Sequence, residues 1–164
     1  MHILWIEDEV DTHYDELMWP IIEDGHTVDV ANDATEAISK LEHFNYDFII
    51  FDLIIGKGQR FHKILNNEFF DIPFIKKESY FSNKTIEGEN VGLSLILYLI
   101  DRNLINDYIT STNYIILSVV SLQDNQELFS ILGDVEIDLT KVFEKRNVSG
   151  NELLNILVSN FSHE

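Results

Sequence analysis

The chain has 164 residues, no cysteine and a formal net charge of −18. That length suits one domain with a buried core, and the acidity argues against direct nucleic-acid binding, which depends on neutralising phosphates. The lack of cysteine excludes a disulfide framework and thiolate metal sites and fits a cytoplasmic location; with no run of about 18 apolar residues and no signal-peptide pattern, no membrane association is expected.

In chain order, His2-Ile3-Leu4-Trp5-Ile6 is an apolar run closed by Glu7-Asp8-Glu9. Such short runs rich in Ile and aromatics read as interior strands of a parallel sheet. A helix starts near Val10 to Thr12 and runs toward Asp24, with Gly25 as its stop and Pro20 set to kink or divide it. Thr27–Ala31 alternates as a second strand. Asp33 can cap a helix whose apolar face is Ala34, Ala37, Ile38 and Leu41. A third strand, at about 47–51, ends at Asp52. Leu93–Ile100 is an apolar run that by itself reads as helix or strand. Tyr114–Leu117 is a fourth strand ending at Ser118, and Gln123–Leu132 is a helix closed by Gly133. Val135–Leu139 alternates as a fifth strand leading into Thr140-Lys141, and Glu152, Leu153, Leu154, Ile156 and Leu157 mark a final amphipathic helix.

Strands alternating with helices imply right-handed crossovers and a parallel sheet covered on both faces. In such sheets ligands bind at the carboxyl ends of the strands. Glu7, Asp8 and Asp52 gather there, and three carboxylates repel one another unless a cation joins them. An all-oxygen set suits Mg²⁺. The plainer alternative is a set of polar strand ends facing water. The six histidines show no metal-ligand spacing, and Gly56-Lys57-Gly58 lacks the longer pattern of a phosphate-binding loop.

Four pieces in order, ILWIEDE at 3–9, YDFIIFDL at 46–53, YIILS at 114–118 and LTK at 139–141, resemble the receiver domain of bacterial two-component response regulators. The resemblance covers most of 1–55 and 91–164. It implies an α/β flavodoxin-like (βα)5 fold with a five-stranded parallel sheet in order 2-1-3-4-5, and makes 93–100 a helix. It further implies that Asp52 is the phospho-acceptor, with Lys141 and Ser118 contacting the phosphoryl oxygens. Mg²⁺ would be held by Glu7, Asp8, Asp52 and the backbone carbonyl of Ile54. The donor implied is a phosphohistidine on a sensor histidine kinase or phosphotransfer protein. On this reading the protein is not an enzyme beyond catalysing its own aspartyl phosphorylation and dephosphorylation. It is a stand-alone receiver that signals through a downstream protein or a second copy of itself.

The chain departs from that pattern in several places. Gly92-Leu93, which opens the third helix in receivers, comes 40 residues after Asp52, so an insertion occupies about 56–90 of a single 1–164 domain. It holds six of the chain's eleven basic residues and six aromatics, including Phe61 and the run Phe69–Ile75. That is too aromatic for an ordinary linker; the segment packs near the active site or folds back as a passive excursion. Counting from Lys141, the following residue is Val142 where receivers carry Pro, and the position three before is Asp138 where they carry an aromatic. Val119 replaces the usual small residue after Ser118. Ile54 and Val120, both apolar, leave nothing to orient a hydrolytic water, which predicts slow self-dephosphorylation. A pseudo-receiver, a phosphorylation-independent interaction module working through the insert, is the alternative. A metal-dependent phosphatase is a weaker third, because Asp52 is followed by Leu53-Ile54 rather than the Asp-x-Asp pattern.

Overall fold

The structure is a computed structural model, and it describes residues 1–65, 91–119 and 126–161. Five parallel strands form its centre: β1 (His2–Ile6), β2 (Thr27–Ala31), β3 (Phe48–Asp52), β4 (Tyr114–Ser118) and β5 (Val142–Glu144). Their order is β2-β1-β3-β4-β5, the flavodoxin-like arrangement expected. Alternation along each strand feeds two cores. Leu4, Ile6, Ile49, Phe51, Tyr114 and Ile116 face one side, and Ile3, Trp5, Phe48, Ile50, Ile115 and Leu117 the other. Both faces are dry, which is why β1, β3 and β4 read as nearly continuous apolar runs.

The first crossover holds α1 (Val10–His13), a π-helical stretch (Tyr14–Met18) and α2 (Trp19–Glu23). Pro20 has no N–H for the Glu16 carbonyl, and the chain widens just before it, with the Trp19 N–H donating to the Tyr14 carbonyl five residues back. The expected division at Pro20 therefore takes the form of a π-helical segment. The Asp33 carboxylate accepts from the Glu36 N–H at 2.8 Å and caps α3 (Ala34–His43) as expected.

The β3–β4 crossover needs one helix and carries three among the described residues: α4 (Gly58–Leu65), α5 (Val91–Asp101) and α6 (Asn106–Ser111). The segment Gly56–Phe61 is latched to the start of α3. The Ala34 N–H donates to the Gly56 carbonyl at 2.9 Å, Thr35 Oγ1 to the Lys57 carbonyl at 3.1 Å, and the Phe61 N–H to Thr35 Oγ1 at 3.0 Å. Gly58 sits at φ +64, where a Cβ would lie 2.6 Å from Asp33 Oδ1. Phe61 is fully buried, edge-on to Tyr98, and Arg60 forms a fork on Glu42 with both bonds at 2.6 Å. The start of α5 sits against the end of β3, where the Gly92 N–H donates to the Leu53 carbonyl at 3.1 Å. The aromatic run Phe69–Ile75 lies outside the described residues.

Two expectations need correction in the last third. The fifth strand is not 135–139. That segment alternates well, but Glu136 adopts φ 64, which breaks an extended chain, and Leu139–Lys141 is a 3₁₀ turn capped by Asp138. Pairing with β4 begins at Val142. Gly133, expected as a helix stop, lies inside α7 (Gln126–Asp134). The last helix, α8, is Gly150–Phe161 and packs on α2.

Candidate functional site

At the carboxyl edge of the sheet, β1 delivers Glu7 and Asp8, β3 delivers Asp52, β4 delivers Ser118, and the residue after β5 delivers a lysine. Glu7 is wholly buried, Asp52 is 3% exposed and Ser118 is 1% exposed, whereas Asp8 is exposed at the rim. Carboxylate oxygens of Glu7, Asp8 and Asp52 lie within 4.8 Å of one another.

The lysine is Lys145, not Lys141. Lys145 Nζ donates to Asp52 Oδ2 at 2.6 Å and lies against the Glu7 carboxylate, and the side chain is almost wholly buried. Lys141 turns its ammonium away onto Asn160 Oδ1 of α8 at 2.6 Å. The cause is the position of β5. Register pairs Ser118 with Glu144, so the next residue, Lys145, is the one that reaches over the ends of β3 and β1. Asp138 is displaced from the pocket by the same shift. Its carboxylate accepts from the Thr140 N–H and hydroxyl, which hold it below the usual carboxylate range, and its N–H donates to the Tyr114 hydroxyl. Counted from Lys145, the position three before is the apolar Val142 and the following residue is Arg146.

Other contacts hold the acids in place. Asp52 Oδ1 accepts from the Ile54 N–H at 3.1 Å, and Glu7 Oε1 accepts from the Glu9 N–H at 3.0 Å. Gly92 at the start of α5 abuts the end of β3, where a Cβ would meet the Leu53 carbonyl oxygen at 2.7 Å. Burial pushes the Asp52 carboxyl up to about 6; Lys145 opposes that rise and Glu7 adds to it. Asp8 is raised by burial and by the Asp52 charge. Burial disfavours the Lys145 ammonium, but Asp52 and Glu7 outweigh it and its pKa is raised.

The donor set fits Mg²⁺: three carboxylates, all oxygen, with ligand atoms within 4.8 Å of one another and Asp8 open to solvent. Ile54 is half-buried beside Asp52, and Val119 is exposed at the rim; Val120 lies outside the described residues. Sequence reasoning found Glu7, Asp8, Asp52 and Ser118, which the fold gathers, and missed Lys145. Two lysines spaced i, i+4 follow the fourth strand's helix, and only the strand's true start selects between them.

No protein-family model matches the sequence, and no curated protein matches it. Solved structures do match in fold. The receiver domain of the Francisella response regulator 1452 is 20% identical with a TM-score of 0.59, over 98% of this chain and 96% of that one. A CheY-like receiver domain protein from Methanospirillum hungatei is 13% identical with a TM-score of 0.59, over 99% and 98%. A two-component response regulator from Clostridium difficile is 17% identical with a TM-score of 0.58, over 99% and 97%. The chain therefore has the receiver fold. No helix among the described residues is long and apolar enough to cross a membrane.

Proposed function

We propose that the chain is a phosphorylation-dependent receiver in a two-component phosphorelay, accepting a phosphoryl group on Asp52 from a phosphohistidine on a sensor histidine kinase or phosphotransfer protein. The observation that carries this reading is the buried Glu7–Lys145–Asp52 cluster with Asp8 at its mouth. An Asp52 oxygen attacks phosphorus as the P–N bond to the donor imidazole breaks, giving an aspartyl-phosphate. Lys145 neutralises an incoming phosphoryl oxygen, the Ser118 hydroxyl donates to another, and the Ile54 N–H keeps Asp52 oriented. Glu7, Asp8 and Asp52 would hold Mg²⁺, with the Ile54 carbonyl as a further ligand; when bound, the ion offsets the repulsion between carboxylate and phosphate. Self-dephosphorylation is slow because Ile54 offers no group to align a water. Signalling passes to a downstream protein or a second copy through a shift between surface conformations.

A second reading, a phosphorylation-independent interaction module, is favoured by one fact: the Lys145 ammonium ion-pairs with both buried carboxylates of the site, Glu7 and Asp52. Intact mass after incubation with Mg²⁺ and acetyl phosphate separates the two. One added phosphoryl group, absent in Asp52→Asn and without Mg²⁺, supports the receiver. An unmodified protein that also binds no Mg²⁺ supports the module.

A further inference from the structure

A second cleft, of about 440 Å³, opens at the opposite edge of the sheet, near the amino ends of β3 and β4. Its walls are the end of α3, the α3–β3 loop, the α5–α6 turn and α6. The β3–β4 crossover could close without α6, so this wall is an addition to what the sheet requires. The walls are tied together. The Tyr46 N–H donates to the Tyr108 hydroxyl at 3.1 Å, the Asn113 N–H to the Tyr108 carbonyl at 2.9 Å, and the Asp47 N–H to the His2 carbonyl at 2.7 Å. The cleft is therefore preformed, within the ordinary size range of ligand sites.

Its lining has one sign. Among the described residues it carries the carboxylates of Asp47 and Asp107, three Asn side chains, the rings of Phe44, Tyr46 and Tyr108, and no Lys, Arg or His. Bases adjacent in sequence are engaged elsewhere. Lys40 pairs with Glu36, His43 bonds the Ser39 carbonyl, and Arg102 pairs with Asp101 and lies over the Tyr98 ring; His2 packs its ring on Tyr46 and reaches Asp29, and its backbone N–H donates to one Asp47 oxygen at 2.7 Å. Phe44, 57% exposed, stands at the mouth. Aromatic faces and carboxylates together attract an organic cation: the rings accept its apolar stem and its charge, and the carboxylates take its N–H groups.

We infer that this cleft binds a guanidinium or alkylammonium group on a short apolar stem, either a free amine or a basic side chain of a partner. The site is independent of Asp52. Amide NMR titrations at fixed ionic strength test it, with agmatine for the free amine, the capped peptide acetyl-Gly-Arg-Gly-amide for the side chain, and n-pentanol as neutral control. Saturable one-to-one shifts confined to residues 44–47 and 103–113 are expected with at least one cation and not with pentanol; which cation binds more tightly identifies the source. Asp107→Asn should weaken binding about fivefold, the scale of one exposed charged contact, with its thermal melt showing that it folds. Asp11→Asn, an acid on α1, should change nothing. The inference is overturned if neither cation saturates, or if Asp107→Asn and Asp11→Asn weaken binding alike, which would mean a diffuse response to the net charge.

Discussion

The two edges of the sheet treat carboxylates in opposite ways. At the carboxyl edge Glu7 and Asp52 are buried and held by Lys145, and burial raises the Asp52 carboxyl to about 6. At the amino edge Asp47 and Asp107 are exposed, with no Lys, Arg or His among the described residues that line their cleft. Burial with an internal counter-ion makes an acid whose charge state depends on what enters the pocket. Exposure leaves an acid open to an approaching partner, suited to recognition and not to chemistry.

The largest expected effect is Lys145→Ala. It leaves two buried carboxylates uncompensated and should lower the unfolding free energy by about 3–5 kcal/mol at neutral pH, while abolishing modification by acetyl phosphate. Lys141→Ala should stay within about 1 kcal/mol of the parent and still be modified. Urea denaturation and intact mass check both; loss of modification only in Lys141→Ala would break the assignment of β5.

Gly92→Ala comes next. A Cβ there would lie 2.5 Å from Leu53 Cα and 2.7 Å from its carbonyl oxygen. Overpacking should destabilise by about 1–3 kcal/mol and shift the β3 end on which Asp52 stands, read as a lower urea midpoint and slower phosphorylation.

Asp52→Asn should act in the stabilising direction. The folded-state pKa, about 6, is raised above the ordinary 3.8, so the group's contribution is fully present below about pH 4 and lost as pH rises through about 6. The Asn variant has no such loss. Its advantage over the metal-free parent should grow across that window to about 3 kcal/mol at pH 8, measured by urea titrations at several pH values. Mg²⁺ affinity of the parent should correspondingly fall as pH drops through about 6, as protons compete for Asp52.

The smallest effect belongs to the latch between α4 and α3. Arg60→Gln removes an exposed fork on Glu42 and should cost under about 1 kcal/mol globally. Hydrogen exchange should quicken in Gly58–Leu65 and remain unchanged around Asn106–Ser111, separating the two additions to the β3–β4 crossover.

The strands β1 to β4 and the cap at Asp33 were legible because their signals are local. Burial on both faces writes a continuous apolar run, and an N-cap needs one side chain at one position. With them came Glu7, Asp8, Asp52 and Ser118, since each directly closes or follows a strand. The segment 135–147 was not legible. Val135, Ile137 and Leu139 alternate as a strand should, and Glu136 gives no sign of its left-handed backbone. Val142–Glu144 is too short to show a period at all. Nor could the sequence show that Gly56–Phe61 would fold onto the start of α3, a contact made of backbone groups and one Thr hydroxyl.

By itself, then, the sequence determined the parallel sheet and the acids at its carboxyl edge, because hydrophobic periodicity and strand-end chemistry are carried within a few neighbouring residues. Only the tertiary structure decided which lysine serves Asp52. That choice depends on the register of a three-residue strand against β4, and register is settled by pairing between residues far apart in the chain, Ser118 with Glu144, which no local pattern records.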